Sequence, residues 1–90
     1  MPSYHTLEIT SEFLESFGRR DFTYADRRRF LQALRLLDEN ERHSSLRIHE
    51  LQGASAGEWS ASASDVLRMT FERLPNGRKK MLICSRHYDR

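Results

Sequence analysis

Cysteine is nearly absent from this sequence. Cys84 is the single cysteine among 90 residues, so the chain cannot form an internal disulfide. The N-terminus, MPSYHTLEIT, also lacks the basic stretch followed by an apolar one that marks a secretory signal. Small secreted domains are commonly stabilised by disulfides. The sequence therefore predicts a protein of the reducing cytoplasm.

Long apolar runs are absent too. The longest run without a polar residue is only residues 81–84, whereas a membrane-spanning helix needs about 20 apolar residues. The sequence has two prolines and four glycines, and it shows no repeat, linker or low-complexity tract. A chain of this length is expected to form one domain over residues 1–90, without membrane contact.

A strong net charge is lacking as well, since the chain carries only +2 at pH 7. The charge is unevenly spread, however. Residues 1–64 hold eight Lys/Arg and ten Asp/Glu, a net of −2, while residues 65–90 hold seven and three, a net of +4. A basic segment attracts phosphates or an acidic protein. A solvated sheet edge that carries Lys and Arg is at least as common an explanation.

The first half of the sequence predicts a strand followed by two helices. Residues 4–9, YHTLEI, alternate as a strand does, and residues 10–20, TSEFLESFGRR, place an apolar helical stripe behind a capping Thr or Ser. Thr23 and Asp26 have the spacing of a capping box. The second helix that they begin has apolar residues at helical spacing and is predicted to end near Arg42.

In the second half the apolar period changes to two, the period of a strand. WSASAS at residues 59–64, LRMTFE at 67–72 and KKMLICSRH at 79–87 predict three strands. PNG at residues 75–77 predicts a hairpin, because Asn-Gly accepts positive φ at both turn positions. The apolar run of the last strand predicts a central strand covered on both faces. The order β-α-α-β-β-β predicts an α+β fold, with the helix hairpin on one face of a small, mainly antiparallel, twisted sheet.

The sequence indicates no cofactor. The possible metal ligands His43, His49, Cys84 and His87 show no recognised ligand spacing. There is no glycine-rich phosphate loop, and there is no nucleophile elbow. Neither a metal nor a cofactor is therefore predicted.

Four short motifs follow one another along the second half of the chain. They are His49-x-Leu51-x-Gly53, Gly57-x-Trp59-Ser60, Leu67-Arg68-Met69-Thr70-Phe71 and a final strand that ends Arg86-His87-Tyr88. Their order and spacing resemble the RelE/ParE toxin superfamily, the toxin halves of bacterial type II toxin–antitoxin pairs. The first half agrees in its β-α-α layout but carries no specific motif. The resemblance implies a RelE-like fold and a cognate antitoxin as partner.

Two activities are implied by the resemblance. RelE-like members, YoeB among them, enter the ribosome and cut mRNA by attack of a ribose 2′-OH on the adjacent phosphorus. ParE-like members share the fold but poison DNA gyrase, so the fold does not settle the activity. The leading hypothesis is a ribosome-dependent mRNA endoribonuclease that inhibits translation. The alternatives are a gyrase-binding toxin and a degenerate relative that binds only its antitoxin or nucleic acid.

Cleavage through the 2′-OH needs a base, a cation beside the phosphorane and an acid. Glu50 is the candidate base, with His49 as its competitor. Arg68 is the candidate cation, because a guanidinium matches two phosphate oxygens. His87 is the candidate acid, because imidazole titrates near neutral pH. Tyr88 can stack on a base or orient the phosphate.

Further basic residues of the last third are candidates for RNA binding, namely Arg78, Lys79, Lys80 and Arg86. One position departs from the family pattern. The third residue after the tryptophan is often basic in the family, as in W-S-x-R, and here it is Ser62.

Each singled-out residue also has a plain structural explanation. Glu50 is as readily a solvated carboxylate, and Arg68 can be a salt-bridge partner. Trp59 is expected to pack in the core or at its rim. Gly53 and Gly57 are expected to serve turns.

Overall fold

The structure, a computed structural model, describes residues 3–87. The prediction for Tyr88 lies outside that range. Residues 3–87 form five strands and two helices: β1 (Leu7–Ile9), α1 (Ser11–Phe17), α2 (Tyr24–Glu39), β2 (His49–Glu50), β3 (Glu58–Ser62), β4 (Leu67–Arg73) and β5 (Lys79–Arg86). Within this part of the chain, no helix is both long enough and apolar enough to span a membrane.

The strands form one mixed sheet in the order β1-β5-β4-β3-β2. β1 pairs with β5 in parallel, and the other neighbours pair antiparallel. The predicted α+β fold with a mainly antiparallel sheet is confirmed. The short edge strand β2 was not predicted, because two residues are too few to show an alternating pattern.

The core lies between the two helices and one face of the sheet, called here the helix side. Phe13 of α1 and Phe30 and Leu37 of α2 are buried against Met69 and Phe71 of β4. Phe22, in the loop between the helices, packs edge-on against Phe30 with 5.0 Å between ring centroids. Alternate strand positions place a second set of side chains on the opposite face, where Ile83 is 42% exposed.

The predicted start of α2 is confirmed, and its end is corrected. The Thr23 hydroxyl accepts from the Asp26 N–H and the Asp26 carboxylate accepts from the Thr23 N–H, both at 3.0 Å, so the capping box is complete. The helix ends at Glu39, before the predicted Arg42, because Asn40 adopts φ −155° and ψ 75°. That bend turns Glu41 out of the helix and toward the sheet, where it forms ion pairs.

The last strand is central, as predicted, but it is covered on one face only. Met81 and Cys84 are completely buried on the helix side, whereas Ile83 is 42% exposed on the other side. A register shift between Thr70 and Phe71 shows that β5 carries a bulge there. The bulge accounts for the unbroken apolar run, because it interrupts the alternation that a regular strand would show.

The predicted hairpin between β4 and β5 is confirmed. Asn76 and Gly77 take positive φ values of 65° and 75°, as a tight Asn-Gly turn requires.

Candidate functional site

The sheet face opposite the helices, called here the open face, carries the second set of alternating side chains. The cross-strand register places Ser62, Arg68 and Ser85 in one row. Ser60 and Thr70 stand in the next row. Among these five, Arg68 supplies the charge, and short hydroxyl side chains surround it. The surroundings of Arg68 on the open face are therefore polar, although Ser60 and Ser62 are themselves largely buried.

Arg68 is held at the hairpin between β3 and β4. Its Nη1 donates to the carbonyl oxygens of Ser64 at 2.6 Å and Leu67 at 3.1 Å. Its Nε and Nη2 have no partner among residues 3–87. As predicted, Arg68 points away from the buried side chains of Leu67 and Met69. The guanidinium is thus fixed by one nitrogen while other donors stay available to an anion.

The turn that holds Arg68 is not among the predicted elements. The Ser64 hydroxyl accepts from the backbone N–H groups of Val66 at 3.3 Å and Leu67 at 3.1 Å. A Ser-Asp pair between two strands favours such a turn, so the residues SASD at 62–65 were a usable indication. The turn fixes the Ser64 carbonyl in the position that Arg68 binds.

His49 and Glu50 lie on opposite sides of the sheet. His49 is aligned with Ser60 of the open face, and Glu50 is aligned with Trp59 of the helix side. Both side chains are exposed. His49 is two strands across the sheet from Arg68 and two residues along it, a separation of about 12 Å between Cα positions at the usual strand spacing and rise. The geometry therefore favours His49 over Glu50 as a base that works beside Arg68.

The histidine ring has a defined hydrogen bond. Nδ1 of His49 lies 3.0 Å from the carbonyl oxygen of Arg47. A carbonyl can only accept, so Nδ1 carries the proton in this contact, and the neutral ring leaves Nε2 as an acceptor. An acceptor nitrogen at Nε2 is what a general base needs.

His87 follows directly after β5. Its backbone N–H donates to the Val66 carbonyl at 2.6 Å, so the pairing of the β4 and β5 ends extends to this residue. The side chain is exposed. Since Ser85 is aligned with Arg68, His87 and Arg68 lie at the same end of the sheet. Tyr88 lies outside the described residues.

Two of the predicted RNA-binding residues point to the helix side and have structural partners. Lys79 is only 2% exposed, and its Nζ lies 3.2 Å from the Glu41 carboxylate. Arg86 binds the Asp26 carboxylate at 2.6 Å and lies 5.8 Å from the centroid of the Phe22 ring. Strand alternation is the reason for both placements. Lys79 is too deeply buried to meet RNA in this conformation.

The other two predicted RNA-binding residues are nearer to solvent. Nε of Arg78 donates to the Glu8 carboxylate at 3.1 Å. Lys80 stands on the open face, aligned with Glu72 and Glu8. Acidic neighbours offset the charge of both residues. Most of the positive charge of the last third is therefore offset by acidic side chains of the protein itself.

Trp59 and the glycines behave as expected. The guanidinium of Arg73 covers the Trp59 ring at 4.4 Å from its centroid, and the ring packs at the edge of the core. Gly53 and Gly57 take positive φ values of 71° and 94° in the loop before β3. Within residues 3–87, no group of three or more His, Cys, Asp or Glu side chains is arranged to hold a metal ion.

Comparison with known proteins identifies the fold. No protein-family model matches the sequence, and no curated protein matches it by sequence. Solved structures do match. The YoeB/ParE toxin from Agrobacterium tumefaciens superposes with a TM-score of 0.70, at 20% identity, over 93% of this chain and 100% of that one.

Two toxin–antitoxin complexes give similar results. YafQ in the DinJ–YafQ complex from E. coli has a TM-score of 0.71 at 15% identity, over 94% of each chain. The match in the YoeB–YefM complex from Staphylococcus aureus has a TM-score of 0.68 at 14% identity, over 96% of this chain and 100% of that one. The chain has the fold of the RelE/ParE toxins, and the predicted resemblance is confirmed at the level of the fold.

Proposed function

We propose that this chain is the toxin of a type II toxin–antitoxin pair and acts as a ribosome-dependent mRNA endoribonuclease in the cytoplasm. The fold that it shares with YoeB and YafQ supports the toxin role. The observation that carries the nuclease role is Arg68, which is fixed on the open face with donors left for a phosphate. His87 at the same sheet end and His49 across the sheet complete the set of residues.

The proposed reaction follows from these positions. Nε2 of His49 takes the proton of the ribose 2′-OH, and the 2′ oxygen forms a bond to the adjacent phosphorus. Arg68 binds the non-bridging oxygens and stabilises the added negative charge of the phosphorane. The bond from phosphorus to the 5′ oxygen then breaks, and His87 donates a proton to that oxygen. Cleavage leaves a 2′,3′-cyclic phosphate and a free 5′-OH.

Two predicted residues have subordinate parts in this proposal. Glu50 is the second choice of base, because it is aligned with the helix side of the sheet. Tyr88 remains the candidate for stacking on a base of the mRNA. The proposed partners are the ribosome, its bound mRNA and a cognate antitoxin, in parallel with the complexes that YafQ and YoeB form with DinJ and YefM.

Inducing the chain in bacteria tests the proposal. Growth is expected to stop, and pulse labelling is expected to show loss of amino-acid incorporation before any loss of DNA synthesis. Arg68→Ala is the matched control and is expected to permit growth. If amino-acid incorporation continues while DNA synthesis stops, the nuclease proposal is wrong.

A gyrase-binding toxin of the same fold is the second candidate function. The observation in its favour is that serine and threonine, and not acids or bases, surround Arg68 on the described open face. A binding function needs no proton transfer, so it would tolerate such a surface. Accumulation of cleaved gyrase–DNA complexes after induction would identify this function.

A further inference from the structure

A cleft of about 310 Å³ lies at the end of the sheet, between α2, the turn Ser44–Leu46 and the loop that joins β3 to β4. Arg29 of α2 and Arg47 after the turn line it. The hydroxyl-bearing residues Ser45, Ser62 and Ser64 line it too. The cleft is outside the set of residues proposed for the chemistry, and nothing in the sequence motifs points to it.

The two arginines differ from most of the basic residues discussed above. Arg73, Lys79 and Arg86 each form an ion pair with a carboxylate. The side chains of Arg29 and Arg47 are exposed, and neither guanidinium has a partner among the described residues. Two unpaired guanidinium groups in one cleft match an anion with several oxygen atoms.

Arg47 also has an unusual backbone. It adopts the left-handed conformation, with φ 47° and ψ 46°, which disfavours any residue with a Cβ. Its N–H donates to the Ser44 carbonyl at 3.2 Å, and its carbonyl is the oxygen that holds Nδ1 of His49. The strained turn therefore directs one arginine into the cleft and orients the proposed base on the open face.

The cleft also adjoins Arg68. Ser64 lines the cleft, and its carbonyl oxygen accepts from Nη1 of Arg68 at 2.6 Å. A strand that passes around the loop at Ser64 would meet Arg68 on one side and the cleft on the other.

We propose that this cleft binds a backbone phosphate of single-stranded RNA, next to the phosphate that is held at Arg68. The inference rests on the proposed function, because it identifies where the RNA runs beyond the cleavage point. Guanidinium groups bind carboxylates as well as phosphates, so the argument for RNA over an acidic protein segment is the contact of the cleft with Arg68, the residue proposed to hold the phosphate that is attacked. One lining residue opposes binding, namely the carboxylate of Asp65, so its removal should strengthen it.

The test measures binding separately from cleavage. A labelled 2′-O-methylated oligoribonucleotide of ten nucleotides cannot be cleaved by 2′-OH attack. Its affinity is measured by fluorescence anisotropy across a salt series, and circular dichroism melts check that each variant folds. Arg47→Gly removes the guanidinium and suits the left-handed backbone, and Arg29→Ala removes the other cation. Arg42→Ala is the control, because Arg42 is exposed and does not line the cleft.

Each cleft variant is expected to bind the RNA about threefold to tenfold more weakly at 50 mM salt. The magnitude of the negative slope of log association constant against log salt concentration is expected to fall by about 1. Asp65→Asn is expected to bind more tightly. Equal weakening by Arg42→Ala would overturn the proposal, because the effect would then be one of overall charge. Unchanged binding in the cleft variants would overturn it as well, and so would a parent chain that binds labelled polyglutamate but no RNA.

The two proposals fail in different ways. If the cleft variants bind RNA normally while Arg68→Ala abolishes cleavage of ribosome-bound mRNA, the cleft inference is wrong and the proposed function stands. If the cleft variants lose RNA binding while Arg68→Ala still cleaves, the cleft inference stands and the proposed site is wrong.

Discussion

At the scale of single residues, Arg68 shows what a strand pattern can and cannot predict. Alternation in LRMTF placed it opposite Leu67 and Met69, and the structure agrees. The same pattern could not show that its Nη1 binds the carbonyls of Ser64 and Leu67. Those bonds give Arg68 a part in the stability of the β3–β4 turn as well as its proposed part in catalysis.

Replacement of Arg68 should separate these two parts. Arg68→Ala should lower the rate of ribosome-bound mRNA cleavage by on the order of 10²–10³, the usual cost of losing one positioned charge-stabilising donor. It should also lower the free energy of unfolding by about 1 kcal/mol, because bonds to two carbonyls are lost. Cleavage assays beside thermal melts measure both effects.

Arg68→Lys is the matched variant. Its ammonium should restore the turn contact more fully than the rate, because it cannot hold two phosphate oxygens in a fork. Normal cleavage by Arg68→Ala would show that the site is misplaced. An unfolded Arg68→Ala would show that the residue is chiefly structural.

Cys84 gives a second prediction at this scale. Burial raises the pKa of its thiol to about 12, although a hydrogen bond from Ser16 acts in the opposite direction. The reactive thiolate is therefore scarce at pH 8. Ellman's reagent should modify the folded protein only as fast as the protein opens, and should modify the denatured protein at once. Rapid labelling of the folded chain would contradict the packing of Cys84 against α1.

At the scale of elements, structure that depends on a few neighbouring residues is predictable from the sequence, and structure that depends on tertiary contacts is not. The capping box at Thr23 and the turn at Asn76 each need only a few neighbouring residues, and both were predicted from the sequence. β2 was missed because its pairing with β3 is a tertiary contact. The end of α2 was misplaced because Glu41 leaves the helix for partners on the sheet.

The start of α2 is a sensitive point, because Asp26 serves two elements. Its carboxylate completes the capping box and binds Arg86 at the end of β5. Asp26→Ala should lower the free energy of unfolding by about 1–2 kcal/mol, since it loses both contacts. Urea denaturation measures the change.

Glu39→Ala is the control for this prediction. It removes only the exposed pair with Arg35, which is worth about 0.3–0.5 kcal/mol. Equal losses in the two variants would mean that Asp26 contributes no more than a surface charge. Because Arg86 precedes His87 directly, Asp26→Ala should also weaken cleavage under the proposed function.

At the scale of the whole molecule, the distribution of charge in the sequence differs from the distribution of available charge. The last third of the chain carries a net of +4, yet Arg73, Lys79 and Arg86 pair with carboxylates of the first half. Composition counts charges but cannot count pairs between distant residues. The free arginines of the cleft, Arg29 and Arg47, lie within residues 1–64, whose net charge is −2.

Three carboxylates in or beside α2 bind groups in other parts of the fold. Asp38 accepts from the backbone N–H groups of His5 and Thr6, which lead into β1. Glu41 binds Arg73 and Lys79. Asp26 binds Arg86. The helix layer is thus tied to three strands of the sheet by ionised carboxylates.

This arrangement predicts loss of stability in acid. Burial raises the pKa of Asp38, but hydrogen bonds from His5 and Thr6 outweigh burial and leave that pKa lowered. Burial likewise raises the pKa of Glu41, but hydrogen bonds from Arg73 and Lys79 outweigh it and leave that pKa lowered too. The pKa of Asp26 is lowered chiefly by the Thr23 N–H. All three folded values lie below the unfolded values near 4. The stability that they contribute is therefore complete above those unfolded values and is lost as the pH falls through the folded ones.

Melting temperatures between pH 7 and pH 2.5, at constant ionic strength, measure this loss. The melting temperature of the parent chain should stay constant down to about pH 5 and fall steeply below pH 4. The double variant Asp38→Asn, Glu41→Gln should melt lower at pH 7 and show a flatter acid decline, because it has fewer carboxylates to protonate. If the melting temperature falls as steeply in the variant as in the parent, the acid-sensitive groups are not Asp38 and Glu41. The contacts of these two carboxylates with the segment before β1 and with β4 and β5 would then not account for the loss of stability in acid.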